Sequence, residues 1–315
     1  MRYLPRDFIE TAEGLIFAVV DPQPEQGRIL CQLRYRRVSG RPCKLSTSEA
    51  HRYLTARAPG YLFASTRLKA PLHAVPESLI QRHYLPRQRV AELLTASQRD
   101  LIEDKAVLWL RLMADYGLNP SQIGITGSLL IGAQHPASDL DFVIYGRADF
   151  MRVRDAIGTA IAAGQLQALG PADWQEAWNR RGCALGFDEY LWHEARKFNK
   201  GLFDGTKFDI TLLDEDDVPR DDGPVRKLGA ILIQTEISDA SHGFDCPARY
   251  ALTEPGIRSA LSFTQTYAGQ ALAGERVEIA GMLEETAAGD RQIVVGSSRE
   301  APGEYIRVIT PGHAP

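Results

Sequence analysis

One stretch limits the folds open to this chain more than any other: residues 124–146. Here Gly127 and Ser128 follow a short apolar run, and Asp139 and Asp141 lead into Phe142, Val143, Ile144 and Tyr145. Side chains i and i+2 of a strand share a face. The two aspartates therefore project side by side, with no cation close in sequence to neutralise them. Paired carboxylates repel one another unless a cation lies between them, and hard divalent ions take oxygen ligands of this kind. Gly127 and Ser128 stand where a short helix would begin. The free backbone N–H groups there, and glycine's missing Cβ, suit a phosphate. Ten residues separate Ser128 from Asp139, which allows one short helix and a turn before the return strand, so that phosphate cradle and carboxylates can meet.

A further carboxylate, Asp209, sits inside the apolar run Lys207–Leu213, where an unpaired charge is expensive. If that run pairs beside the strand carrying Asp141, the carboxylates converge and suit metal ions clamping an in-line displacement at phosphorus. Asp204, Asp214 and Asp216 are nearby rivals for the role. Lys197 and Lys200, with Lys207, flank a hairpin expected around residues 204–206 and could touch a triphosphate or an acceptor backbone. Ser138 could cap or position the loop before Asp139, and His135 lies in the same loop.

Together, Gly127-Ser128, the ten-residue gap, Asp139-Leu140-Asp141 and Phe208-Asp209-Ile210 resemble the nucleotidyltransferase superfamily of DNA polymerase beta, over residues 97–213. The resemblance implies Mg²⁺- or Mn²⁺-dependent transfer of a nucleoside monophosphate from a nucleoside triphosphate, with release of pyrophosphate. It implies that Gly127 and Ser128 hold the triphosphate; Ser138, Lys197 and Lys200 are secondary candidates for that contact from their positions in the sequence. By the same resemblance Asp139, Asp141 and Asp209 are the catalytic, metal-bearing residues.

The expected fold class is α+β. A central nucleotidyltransferase domain with a mixed sheet flanked by helices spans 96–222; a small basic α+β domain precedes it (1–95) and a β-rich domain follows (223–315). The length of 315 residues suits two or three domains of ~100–150 residues each. Residues 1–100 carry 16 Lys+Arg against 9 Asp+Glu, a net of +7, so the remainder carries −11 of the total −4. A basic front on an acidic body fits a polyanionic partner, although an arginine-rich solvated surface gives the same composition. Between Arg28 and Arg37 the alternation predicts a strand with Ile29, Cys31, Leu33 and Tyr35 inward and Arg28, Gln32, Arg34 and Arg36 outward. Pro76 to Tyr84 is expected to be helical. Arg82, Arg87 and Arg89, with His83, surround Tyr84 and, with Arg34 and Arg36, are the candidate nucleic-acid contacts.

Ser46 and Glu49 have capping-box spacing, a long helix is expected from Ser97 to Tyr116, and Trp109 falls on its buried stripe. Residues 194–203 are expected to be a strand. Beyond Pro224, β-type runs recur at spacings suited to a small barrel, resembling the oligonucleotide-binding fold around residues 274–283. The longest apolar runs fall short of a membrane span, the start shows no signal-peptide pattern, and the four cysteines are widely spaced, which fits free thiols in a reducing cytoplasm. The leading expectation is a cytoplasmic enzyme transferring nucleotides to a nucleic-acid acceptor, RNA favoured. The alternatives are nucleotidylation of a protein or small molecule, and an inactive nucleic-acid-binding module.

Overall fold

The structure, a computed structural model, describes residues 2–68, 70–215, 225–296 and 303–309. The chain is α+β and divides into two compact units, residues 1–167 with 199–219 and residues 168–198 with 220–315.

The first unit begins with a seven-stranded antiparallel sheet. Its strands are β1 (Phe8–Thr11), β2 (Leu15–Val19), β3 (Arg28–Val38), β4 (Arg41–Lys44), β5 (Leu62–Ser65), β6 (Ala70–Pro76) and β7 (Ile80–Tyr84). They run in the order β5-β6-β3-β2-β1-β7, with β4 added beside β3. Helix α1 (Thr47–Arg57) starts at the anticipated capping box, with Ser46 and Glu49 bonded reciprocally. Its Ala50 and Leu54 pack with Ile9, Leu15, Phe17, Ile29, Cys31 and Leu33.

The alternation expected along β3 breaks at Arg34. Phe17 pairs with Leu33 but Ile16 pairs with Tyr35, which leaves Arg34 as the extra residue of a β-bulge. A bulge reverses the facing of everything beyond it. Tyr35 consequently joins Phe8, Ile16, Tyr84, Leu130 and Ile131 rather than Leu33 and its neighbours, while Arg36 turns towards α1 and lies 5.0 Å from the Tyr53 ring. The helix expected over 76–84 is also corrected: Ile80–Tyr84 is strand β7, held in register against β1. Pairing satisfies its backbone, and the Tyr84 hydroxyl donates to Glu10 Oε2 at 2.5 Å.

The same unit continues with α2 (Pro86–Thr95), α3 (Leu101–Asp115), β8 (Ile123–Ile125), α4 (Gly127–Leu130), β9 (Leu140–Tyr145), α5 (Arg147–Ala162), β10 (Lys200–Phe203) and β11 (Thr206–Leu213). The strands form a four-stranded mixed sheet in the order β10-β11-β9-β8. Asp100 caps α3 through a second capping box with Glu103. From α3 the fully buried Trp109 stacks on Phe142 of β9 at 3.9 Å between centroids and tilts against Phe208 of β11 at 5.7 Å. One indole therefore holds one face of both central strands, which is the core role its helical spacing predicts.

In the second unit, α6 (Pro171–Arg181) and α7 (Phe187–Ala195) precede β12 (Arg226–Asp239), β13 (Ala248–Leu252), β14 (Ser259–Ser262), β15 (Arg276–Glu285), β16 (Arg291–Val295) and β17 (Tyr305–Val308). The strand order β12-β13-β14-β16-β15, closed by pairing of β15 back onto β12, makes a five-stranded barrel, and β17 adds to β15. Trp174 and Tyr190 from the two helices pack with the barrel interior of Ile237, Tyr250, Val277, Ile279 and Ile293. Residues 194–203 are not one strand. Helix α7 runs to Ala195 and β10 starts only at Lys200, because Glu194 is drawn into the second unit's core.

Trp109→Ala removes the shared contact of β9 and β11 and should cost ~3–5 kcal/mol, the usual scale for a buried large-to-Ala change. Trp109→Phe should cost clearly less. Urea unfolding of both variants beside the wild type measures the difference.

Candidate active site

Pairing across the four-stranded sheet sets up the site. Strands β9 and β11 are parallel with Asp141 directly opposite Asp209, and β10 and β11 are antiparallel with Lys200 directly opposite Asp209. Directly paired residues share a sheet face, so Lys200, Asp209 and Asp141 form one row across three strands. On the far side of Asp141, the Thr126 N–H donates to the Asp141 carbonyl at 2.9 Å. The period-2 alternation turns Phe208 and Phe142 to Trp109 on the opposite face, leaving the row half-buried. Asp139 lies just before β9, exposed. Ser138 is buried, and its Oγ accepts the His135 N–H at 3.0 Å; it holds the turn that delivers Asp139.

Gly127 follows Thr126 at the start of α4 with φ of +65°. A Cβ at this position would overlap Asp141 Oδ2, so both the left-handed backbone and the space require glycine. Ser128 is the next residue, half-buried. The phosphate-cradle candidates and the carboxylates are thus neighbours, as the ten-residue gap suggests.

Asp141 is the electrostatic centre of the row. Its pKa is pushed up to about 7, first by burial, then by the charges of Asp209 and Asp139; Arg6 and Lys44 act in the opposite sense. The carboxylates therefore oppose one another's ionisation, and the neighbouring cations do not cancel that opposition. Among the described residues, no group of His, Cys, Asp or Glu side chains is arranged to hold a metal ion as it stands. Repulsion acts over several ångströms, whereas ligation needs oxygens ~2.0–2.6 Å from one point. The donor set itself, all-oxygen and under mutual repulsion, fits Mg²⁺ or Mn²⁺.

Other sequence candidates are placed elsewhere. Lys197 belongs to the second unit, where it is 1% exposed. Its Nζ is 2.5 Å from Glu194 Oε1 and donates to the Thr266 carbonyl at 2.7 Å. It is corrected from a triphosphate contact to a buried ion pair, whose charge burial tolerates only because it is paired. Arg87 stacks 3.6 Å from the Tyr145 ring centroid and pairs with Glu215. Arg89 donates to the Leu129 carbonyl at 2.9 Å and pairs with Glu103 at 2.5 Å. These arginines, like Arg36 over Tyr53, bind internal partners. Arg82 lies 4.4 Å from the Tyr84 ring and is exposed; Tyr84 itself is buried and offers no stacking platform. Arg34 is half-buried at the β3 bulge.

Sequence reasoning missed Thr126, Arg6, Lys44 and Tyr35. The Thr126 hydroxyl donates to the Arg6 carbonyl at 2.8 Å, Lys44 pairs across from Tyr35, and the charge of Asp141 acts on Tyr35. Arg6, Lys44 and Tyr35 carry no local signal, because they reach the row only when the first sheet and the turn before it fold, whereas Thr126 stands beside Gly127 and is revealed only by its hydrogen bonds.

No protein-family model matches this chain, and no solved structure matches it. The uncharacterized protein MJ1086 of Methanocaldococcus jannaschii is 32% identical over 338 aligned positions, covering 98% of this chain and 99% of that one. The chain belongs to the same family as this archaeal protein.

Two measurements follow from the geometry. In the absence of divalent cations, ionising Asp141 disfavours the folded state. Its folded pKa of about 7 exceeds the ordinary 3.8, so the folded state binds more protons and stability falls as pH rises between those values. Asp141→Asn should therefore raise Tm relative to wild type at pH 8 and leave it nearly unchanged at pH 4. Equal shifts at both pH values would contradict the repulsion. Gly127→Ala, strained and overlapping, should lower stability by ~1 kcal/mol or more, whereas exposed Gly132→Ala gives the cost of a positive φ without the overlap.

Proposed function

We propose that this chain is a metal-dependent nucleotidyltransferase that moves a nucleoside monophosphate from a nucleoside triphosphate to an acceptor hydroxyl on RNA or another nucleic acid. The observation that carries the reading is the pairing of Asp209 beside Asp141, within the sheet that also brings Gly127 against Asp141. These residues are far apart in sequence and belong to the same motif resemblance.

On this reading Asp139, Asp141 and Asp209 hold the divalent ions. When bound, such ions neutralise phosphate charge and lower the pKa of the attacking hydroxyl. The backbone at Gly127 and the Ser128 hydroxyl bind the triphosphate, aided by Lys200 beside Asp209. Asp209, between Lys200 and Asp141 in the row, is the carboxylate assigned to accept the proton from the acceptor hydroxyl. Ser138 keeps the Asp139 loop in place. The phosphoryl centre then sits in a fixed frame of opposite charges, which is the main requirement of phosphoryl transfer.

The acceptor class rests on the second unit. The five-stranded barrel supports a reading as an oligonucleotide-binding type of fold, a class of five-stranded barrel that takes single strands and oligosaccharides. The +7 charge of residues 1–100 adds a polyanion preference.

Incubation with labelled nucleoside triphosphates, Mg²⁺ and an RNA pool should label RNA. Asp139→Ala, which is exposed and should fold normally, should reduce labelling by ~10²-fold or more, the scale for losing a group that stabilises transition-state charge. Undiminished labelling in that variant removes the site assignment, while label on protein or a small molecule with none on nucleic acid reassigns the acceptor.

A further inference from the structure

Residues 4–7 form a tight turn in which the Asp7 N–H donates to the Leu4 carbonyl at 3.0 Å. Pro5 precedes Arg6, whose φ is +80°. Proline followed by a positive-φ residue is the pattern of a type II turn, and glycine or asparagine is the usual occupant of the second corner. An arginine there is strained, yet the turn is pinned on every side. The Arg6 carbonyl accepts from Thr126 Oγ1 at 2.8 Å and its N–H donates to the Val19 carbonyl at 3.3 Å. Asp7 Oδ2 accepts from the Leu4 N–H at 3.0 Å and is 2.8 Å from His83 Nε2. The anchor is Thr126, the residue that immediately precedes Gly127 and hydrogen-bonds the Asp141 backbone.

The Arg6 side chain is half-buried, and among the described residues its guanidinium makes no hydrogen bond or ion pair. Lys44, exposed at the end of β4 and paired across from Tyr35, likewise has no ion-pair partner among the described residues. Both charges reach Asp141 without bonding to it. If Arg6 served only to neutralise Asp141, a direct ion pair would be the cheaper arrangement. A guanidinium fork near repelling carboxylates, held at a backbone position that disfavours arginine, instead suits an anion of its own.

We propose that Arg6, assisted by Lys44, is a triphosphate clamp supplied by the first sheet, gripping non-bridging phosphate oxygens beside the Gly127 cradle. The clamp rests on the nucleotidyl-transfer reading above and adds two binding residues to it.

Inorganic tripolyphosphate, titrated calorimetrically into the full chain with Mg²⁺, is the probe, read together with Tm. Arg6→Gly should weaken tripolyphosphate ~10-fold or more, the scale of lost charge-assisted hydrogen bonds, with Tm at or above wild type because glycine suits φ of +80°. Arg6→Lys should recover part of the affinity, and Lys44→Gln should show a smaller loss. Unchanged affinity in Arg6→Gly overturns the clamp while leaving the site reading intact, as does a weakened single-stranded RNA oligonucleotide with unchanged tripolyphosphate. A lower Tm in Arg6→Gly assigns the side chain to the fold and also overturns the clamp. Wild-type protein that binds neither tripolyphosphate nor ATP overturns the nucleotidyl-transfer reading together with the clamp.

Discussion

The parallel pairing of β9 with β11 is the constraint on which the rest of the site depends. It sets Asp209 opposite Asp141 although the two are separated by helix α5 and by a segment that belongs to the other compact unit. A parallel pair cannot be joined by a hairpin, so the connection is necessarily long. The register is fixed from behind. Phe208 and Phe142 share Trp109 on the buried face, and a slip of one residue by either strand would turn its phenylalanine to the open face and its aspartate into the core. Burial of one indole thereby enforces repulsion between carboxylates on the opposite side. Hydrophobic packing supplies the free energy, and the destabilised Asp141 is where part of it is spent.

That local instability fits a site awaiting a cation. Functional sites keep groups that a purely structural protein would avoid, and the first unit holds two such features within one hydrogen-bonded neighbourhood: an Asp141 whose pKa reaches about 7 and an Arg6 at a glycine-type backbone position. Thr126 connects them, donating its N–H to Asp141 and its hydroxyl to Arg6. The seven-stranded sheet therefore does more than precede the carboxylate-bearing sheet; it brings residues to the same row.

Much of the carboxylate row was legible because its signals are local. The spacing of Asp139 and Asp141, the Gly127-Ser128 pair and the apolar strand after them are written within residues 124–146, and Asp209 stands out as a charge inside an apolar run. What was not legible depends on partners distant in the chain. Arg36 reads as an outward residue until the bulge at Arg34 turns it onto Tyr53. Lys197 reads as a free cation until Glu194 and the Thr266 carbonyl enclose it. Ile80–Tyr84 has a helical opening at Pro76, but β1 captures it as a strand. In each case tertiary pairing overrides a local pattern, as it does most readily for short segments. The barrel order could not be obtained from strand spacing either, since β14 is only Ser259–Ser262 and carries little signal.

The central claim is that Asp139, Asp141 and Asp209 act together as ligands around a nucleoside triphosphate. A crystal of the full chain grown with Mn²⁺ and a non-hydrolysable nucleoside triphosphate tests it most directly through the anomalous signal of the metal. The account predicts a manganese peak ~2.0–2.6 Å from oxygens of these aspartates, with the triphosphate running towards Gly127. Nucleotide bound elsewhere, or manganese bound without these carboxylates, would contradict it.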